Sequence, residues 1–552
     1  MSFSWTRAPW AILCVLTAVI VSSPLLTIIY YWLLPSTQIW EHLVSTVLKS
    51  YVVNSLLLAA GVFLLSSIIG TSLAWVTSRY NFRGTRTIEW LSVLPLAFPT
   101  YIIGFTYAEL LNYLGPIQTV FRELFGIQSK SDYWFPDIMT LPGAIILMSF
   151  VLYPYVYLIV KPVFENQSLQ LEQTAKTLGC SKLKLFYKIS LPQARPAIIA
   201  GASLALMEAL NDFGTVSYFG IPTFTTGIYR TWFNLGDLSA AARLSSLLVI
   251  FVFTILLVEQ LQRRHIHQSI NNSRGPNTSK KRLRGLSALV IPLVCLLPFF
   301  LGFFVPALQL LSWAVARLSV FAEPDFYLMA CRSFGLALSV AFIITAIAFI
   351  LRYTSRILQK QAPVIQTTNR LSTLGYAIPG SVISVSILIP LAFLDHRMND
   401  LTKAIGGWSV GLVFSGSLLA LGYGYVVRFL AVGYNAIDAG FSNIANQLCQ
   451  TSFSLGHGPL RTLFKIHLPL ARGSILAAVI LVMVDILKEL PATLILRPFN
   501  FDTLATRTYE LAIEEQLPEA SIYALTIVLL GLAPIFLLTK MMNTVSNSEG
   551  HQ

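Results

Sequence analysis

QTAKTLGCSKLKLFYKISLPQARPAI at residues 173–198 returns as QTSFSLGHGPLRTLFKIHLPLARGSI at residues 450–475. The offset is 450 − 173 = 277, about half of the 552-residue chain. It holds without a gap through Gly179/Gly456, Leu191/Leu468, Pro192/Pro469 and Arg195/Arg472. The same offset pairs Phe224 with Phe501, Arg230 with Arg507 and Thr231 with Thr508. Identity at roughly a third of positions, polar loop residues included, marks an internal repeat. Each copy is a basic, polar segment between hydrophobic runs, which places a duplicated part on one side of a membrane.

Composition supports the membrane. Apolar residues make up 55% of the chain and charged residues 11%, with a mean hydropathy of +0.68. A soluble domain carries about a quarter charged residues. With ~20 apolar residues needed per crossing, about six crossings are expected in each half. They fall near 11–34, 53–77, 89–112, 141–162, 196–217 and 243–261, then 288–314, 332–352, 371–394, 409–433, 473–495 and 519–540. The expected fold is an all-α polytopic membrane protein of about 12 helices. An even number of spans per half sets the two halves parallel, related by an axis along the membrane normal.

Lysine and arginine set the orientation. Arg79, Arg83 and Arg86 share a side with Lys176, Lys182, Lys184, Lys188 and Arg195, and with Arg263, Arg264 and Lys280–Arg284. The opposite loops are mixed or acidic, as at Glu510, Glu514, Glu515 and Glu519. Both termini and both repeated loops are therefore expected in the cytoplasm. The +13 net charge follows from this topology and does not indicate nucleic-acid binding. The five cysteines show no CxxC or Cys/His spacing, so neither a disulfide frame nor a zinc site is indicated. The chain divides into a first half over 1–261 (core about 50–261), a basic linker over 262–285 and a second half over 286–552 (core about 328–541). The linker, QRRHIHQSINNSRGPNTSKKRLRG, is polar with no apolar periodicity and reads as a flexible cytoplasmic tether.

Proline punctuates the third span of each half, at Pro99 and Pro379, where a helix would lose a backbone bond and kink. Within each repeated loop, Gln173-Thr174-Ala175 leads to Gly179 and Gln450-Thr451-Ser452 leads to Gly456. A glycine at positive φ ends a helix sharply, and a second amphipathic stretch should stop before the proline. A helix–Gly–helix of this kind makes a blunt projection suited to a groove on a cytoplasmic partner.

The loop resembles the E-A-A coupling motif of binding-protein-dependent ABC importer permeases. Gln173-Thr174-Ala175 and Gln450-Thr451-Ser452 stand at the E-A-A positions, Gly179 and Gly456 at the glycine, and Leu191-Pro192 and Leu468-Pro469 at the ending. Glutamine replaces the family's glutamate in both copies, which removes a charge but keeps hydrogen-bonding capacity. The segments 207–237 and 484–512 are similar to fused two-half permeases of ferric-iron importers. The resemblance implies the type I importer fold, an inner-membrane location, a periplasmic substrate-binding protein and two copies of a cytoplasmic ABC ATPase. No GxxxxGK[ST] phosphate loop occurs in the sequence. The chain is thus expected to bind no cofactor and catalyse no reaction, with ATP and Mg on the partner ATPase.

Beyond each loop a span carries two acids at i, i+4: Glu208 and Asp212, matched by Asp485 and Glu489. That spacing puts both on one helix face, roughly 18–25 Å beyond the loop. Intramembrane charge normally faces a protein interior or a wet cavity. The four acids are candidates for a cation-favouring pathway; pairing with Lys488 or another base, or solvation at a bent helix end, is the alternative. No metal site is assigned. Carboxylates suit a hard cation, while thiamine, polyamines and aminophosphonates are cargoes of related importers. Twelve spans with buried acids also fit an ion-gradient-driven secondary transporter. His265 and His267 lie in the linker, and no catalytic set points to an enzyme.

Overall fold

In lipid, an apolar run can satisfy its backbone only as a helix or within a closed barrel, and the apolar runs of this chain fold as helices. A computed structural model describes residues 8–165, 167, 177, 179–264, 280–358, 362–442 and 444–548. Among them, 8 helices are long and apolar enough to cross a membrane, or 10 if each of two bent pairs counts as one span. The bent pairs are Thr85–Ala97 with Thr100–Leu110, at 93°, and Pro459–Leu470 with Arg472–Leu487, at 74°. The two remaining expected spans are helical, as Leu191–Asn211 and Leu418–Ser442. Arginine, glycine and small residues keep their hydropathy low. Helices thus occupy the places of the twelve expected crossings, but among the described residues only 8 to 10 are long and apolar enough to span.

Pro99 and Pro379 do not kink continuous helices. Each is the residue before a new helix, Thr100–Leu110 and Gly380–Gly406, and each follows a 3-10 turn, Leu94–Ala97 and Leu374–Ala377. A proline at a helix start loses no intrahelical bond; the span around Pro99 is broken there, with its two helices at 93°, while Gly380–Gly406 is a continuous span that begins after Pro379.

The sequence halves are interleaved in space. The first helix, Ala8–Tyr30, packs on the second half: Cys14 Sγ donates to Asn369 Oδ1 at 3.3 Å, and the Trp10 and Tyr353 rings meet edge-on at 5.3 Å. The helical run Ser287–Ala316, which opens the second half, packs on the first. There Tyr107 donates to the Leu301 carbonyl at 2.7 Å, and the Phe98 and Phe303 rings lie 5.3 Å apart. Two buried clusters result, and each draws residues from both halves.

The end of the linker is also held. Residues 265–279 lie outside the described residues, but Tyr80–Asn81 pair in parallel with Lys281–Arg282. Lys280 Nζ reaches Glu89 Oε1 at 2.9 Å, and Lys161 reaches the other oxygen at 2.9 Å. The linker is thus docked on the first half over its last residues, where the sequence alone suggested a free tether.

Candidate functional site

Among the described residues, the two loops share a glycine at positive φ and a π-helical turn after it. In the second, helix Asn446–Ser454 ends as Gly456 takes φ +81°, the His457 amide returns to the Ser452 carbonyl, and a new helix starts at Pro459. Ser452 Oγ is buried and bonds Thr462 Oγ1 at 2.7 Å, tying the two arms together. Gln450 and Thr451 beside it are exposed. In the first loop Gly179 has φ +76°, while Gln173, Thr174 and Ala175 lie outside the described residues. Left-handed backbone is readily adopted only by glycine, and an added Cβ at either glycine would meet nothing within 4 Å.

The second arm does not stop before the proline. A π-helical turn covers Phe186–Ser190 in one copy and Leu463–His467 in the other, closed by the Leu191 amide on the Phe186 carbonyl and the Leu468 amide on the Leu463 carbonyl. The helix then runs on through Pro192 and Pro469. An extra residue in the turn moves the carbonyl that a proline ring would strike, which explains why the chain tolerates proline there. The equivalent aromatics Tyr187 and Phe464 are 60% and 61% exposed on the two projections.

Glu208, Asp212, Asp485 and Glu489 line a single cavity of about 80 Å³ at the junction of the halves. Four carboxylates there face two cations, Arg428 and Lys488, a formal excess of 4 − 2 = 2 negative charges. The acids divide into two kinds. Asp212 accepts from the amides of Thr215 at 3.0 Å and Val216 at 3.2 Å, capping the short helix Gly214–Tyr218. Glu489 accepts from the Ala492 amide at 3.1 Å, at the start of Pro491–Leu496. A carboxylate at a helix N-terminus is stabilised by the unpaired amides and the helix dipole. Glu208 and Asp485 make no such bonds: Tyr376 donates to Glu208 Oε1 at 2.9 Å, and Lys488 Nζ lies 2.8 Å from Asp485. Among the described residues no three acidic, His or Cys side chains are placed to hold a metal.

The repeat is not symmetric at this level. In the first half Thr100 Oγ1 donates to Asp212. Its counterpart is Gly380, offset by 280, and opposite it stands the longer Glu489 paired with Arg428 Nε at 3.1 Å. A Cβ at position 380 would come within 2.7 Å of Glu489 Oε1 and 2.8 Å of Arg428 Nη1. One half therefore uses a short acid with a hydroxyl, the other a long acid with a bare backbone and an arginine. Gly380→Thr alone is expected to destabilise the chain by about 1–3 kcal/mol through overpacking. Adding Glu489→Asp, which restores the first-half pattern, should recover part of that loss in thermal unfolding of the purified chain; an equal or larger loss in the double variant contradicts the volume argument.

Sequence reasoning missed Arg428, Asn211, Tyr376 and Gly380. Asn211 Oδ1 accepts from Arg428 Nη1 and from the Gly380 amide, both at 2.7 Å, and so joins the halves. An arginine inside an apolar run was the one available signal. Farther along, the offset of 277 also fails. The capping boxes of Phe224–Phe233 and Leu504–Ile513 lie at Thr223/Thr226 and Thr503/Thr506, an offset of 503 − 223 = 280. Ser55 bonds the Phe224 amide and Ser333 the Leu504 amide in the same way. The loop between Leu496 and Thr503 is longer than its counterpart by 280 − 277 = 3 residues, so Arg230/Arg507 and Thr231/Thr508 are not equivalent. Tyr229 and Tyr509 are, and both rings pack on Phe213, at 4.5 and 5.8 Å.

This architecture has relatives. A family described as "Binding-protein-dependent transport system inner membrane component" matches residues 63–267. The chain is 31% identical over 205 residues to a probable sulfate transport system permease protein of Chlorella vulgaris, covering 74% of that protein and 36% of this one. The chain belongs to this permease family. The permease is also 27% identical over 495 residues to an Fe(3+)-transport system permease protein of Haemophilus influenzae, covering 88% of this chain and 89% of the relative. A putative ferric transport system permease protein of the same organism is 24% identical over 496 residues, 86% of this chain and 74% of its own length. These two similarities run through both halves of the permease. The protein is thus a multi-pass inner-membrane transport component, and its paired loops and central cavity are parts of a transporter.

Proposed function

We propose that this chain forms both halves of the translocation pathway of an ATP-driven importer whose cargo is ferric iron. The carrying observation is the central cavity, where four carboxylates from two equivalent segments outnumber two cations. Such a site favours a cation over an anion such as sulfate, and oxygen donors suit a hard one. The relatives that span both halves are named for ferric transport, which supports the same cargo. A periplasmic binding protein would deliver the iron, and two copies of a cytoplasmic ABC ATPase, carrying ATP and Mg, would dock on the loops around Gly179 and Gly456. Both termini would lie in the cytoplasm, with the basic loops. Radioiron uptake in a strain lacking the chain should return when it is supplied, and should vanish on ATP depletion with the proton gradient intact. Uptake no greater than in the deletion strain overturns the iron reading.

Tyr187 and Phe464 are the apolar knobs for the two ATPase copies in this reading. Buried aromatic anchors supply about 2 kcal/mol or more each at interfaces. Tyr187→Ala with Phe464→Ala should leave membrane insertion unchanged and strip most of the co-purifying ATPase. Full ATPase recovery with the double variant contradicts the assignment.

A further inference from the structure

Asn211 and Lys488 hold the same place in the two copies (211 + 277 = 488), each one residue before a helix-capping acid. They have opposite fates. Asn211 is engaged across the half boundary with Arg428 and Gly380. Lys488 turns back on its own segment to Asp485 Oδ1 at 2.8 Å, and lines the cavity with Glu208 and Tyr155. Asp212 and Glu489 are committed to helix ends, so Glu208 and Asp485 are the acids left facing the space. The Tyr101 hydroxyl, on a side chain 4% exposed in the lining of the same cavity, has no hydrogen-bond partner. Oxygen donors from both halves thus surround a place that already holds a positive charge.

We propose that Lys488 is a tethered counter-cation: its ammonium closes the Glu208/Asp485 pair while the cavity is empty of cargo, and a translocated metal cation must displace it. The proposal rests on the reading that the cargo is a metal cation, and it adds the residue that excludes weaker competitors. A monovalent ion gains too little from two acids to expel an ammonium tethered beside them. A trivalent ion interacts with each carboxylate three times as strongly at equal distance and can take its place. The asymmetry of the repeat has a reason in these terms. One lysine serves a single central site; a second at position 211 would cut the excess of negative charge from two to 4 − 3 = 1 and would lose the cross-half bonds of Asn211.

Terbium(III), a hard trivalent ion whose emission is sensitised by nearby tyrosine, tests this on the full chain purified into nanodiscs. Lys488→Gln should bind terbium about tenfold or more tighter than wild type, because a unit charge beside the site is removed. Combining it with Asp485→Asn should abolish the gain. Equal affinity of wild type and Lys488→Gln, or a gain that survives Asp485→Asn, overturns the proposal. A second readout uses wild type alone. Acylation of Lys488 by a small amine-reactive reagent, followed by mass spectrometry, should rise as terbium displaces the ammonium; labelling that is unchanged or reduced at saturating terbium also overturns it. Neither readout uses iron, ATPase or binding protein. Failure of iron uptake and failure of this proposal are therefore separate results.

Discussion

Arg428→Met is expected to destabilise the permease by about 3–5 kcal/mol, the cost of leaving one member of a buried ion pair alone. Arg428 and Glu489 are each about one-twentieth exposed, and Nε lies 3.1 Å from the carboxylate. The arginine also donates to Asn211, so its loss frees a bond that joins the halves. Methionine fills part of the volume but supplies neither charge nor donors. The consequence is specific: adding Glu489→Gln should recover at least half of the loss, because an amide oxygen still accepts from the Ala492 amide while the stranded charge disappears. Thermal unfolding of the purified chains in nanodiscs measures this. A double variant no more stable than Arg428→Met places the cost in packing, not in the unpaired carboxylate.

Gly179→Asp with Gly456→Asp is expected to abolish uptake while leaving the protein inserted and folded. The backbone supports this separation. Both glycines have positive φ, yet a Cβ at either would meet open space. Aspartate is among the residues that tolerate left-handed backbone, where the strain is about 1–2 kcal/mol, a local cost at an exposed loop. The partner is affected more. A side chain and a charge on the crest of each projection would obstruct an ATPase groove, and about 2 kcal/mol lost per loop is roughly thirtyfold in affinity. Wild-type insertion with uptake at background is the expected result, and wild-type uptake in the double variant removes the loops from energy coupling.

The paired loops and the acid pairs were legible because local chemistry writes them. A glycine at a helix stop, a proline after a fixed interval and acids at i, i+4 are all short-range patterns. The partners of those acids were not legible. Tyr376 lies 168 residues from Glu208, and Arg428 lies 217 from Asn211, so only the interleaved fold brings them together. The capping role of Asp212 was nearer to hand, since Asp212 stands three residues before Thr215, in the first turn of the next helix. The repeat itself misled beyond Leu496. Recurrent Phe, Arg and Thr kept the 277-residue offset attractive, while the loop had grown by 280 − 277 = 3 residues and shifted every later equivalence. The prolines misled differently: a proline opening a helix and a proline kinking one look alike in sequence, and the turn before each decides between them.

Uptake of radioiron into proteoliposomes containing the chain, the partner ATPase and an iron-loaded binding protein is the most direct measurement of the central claim. Iron should accumulate only when ATP reaches the ATPase side, and not under an imposed proton or sodium gradient without ATP. Accumulation driven by a gradient in the absence of ATPase would contradict an ATP-coupled importer and return the chain to the secondary transporters.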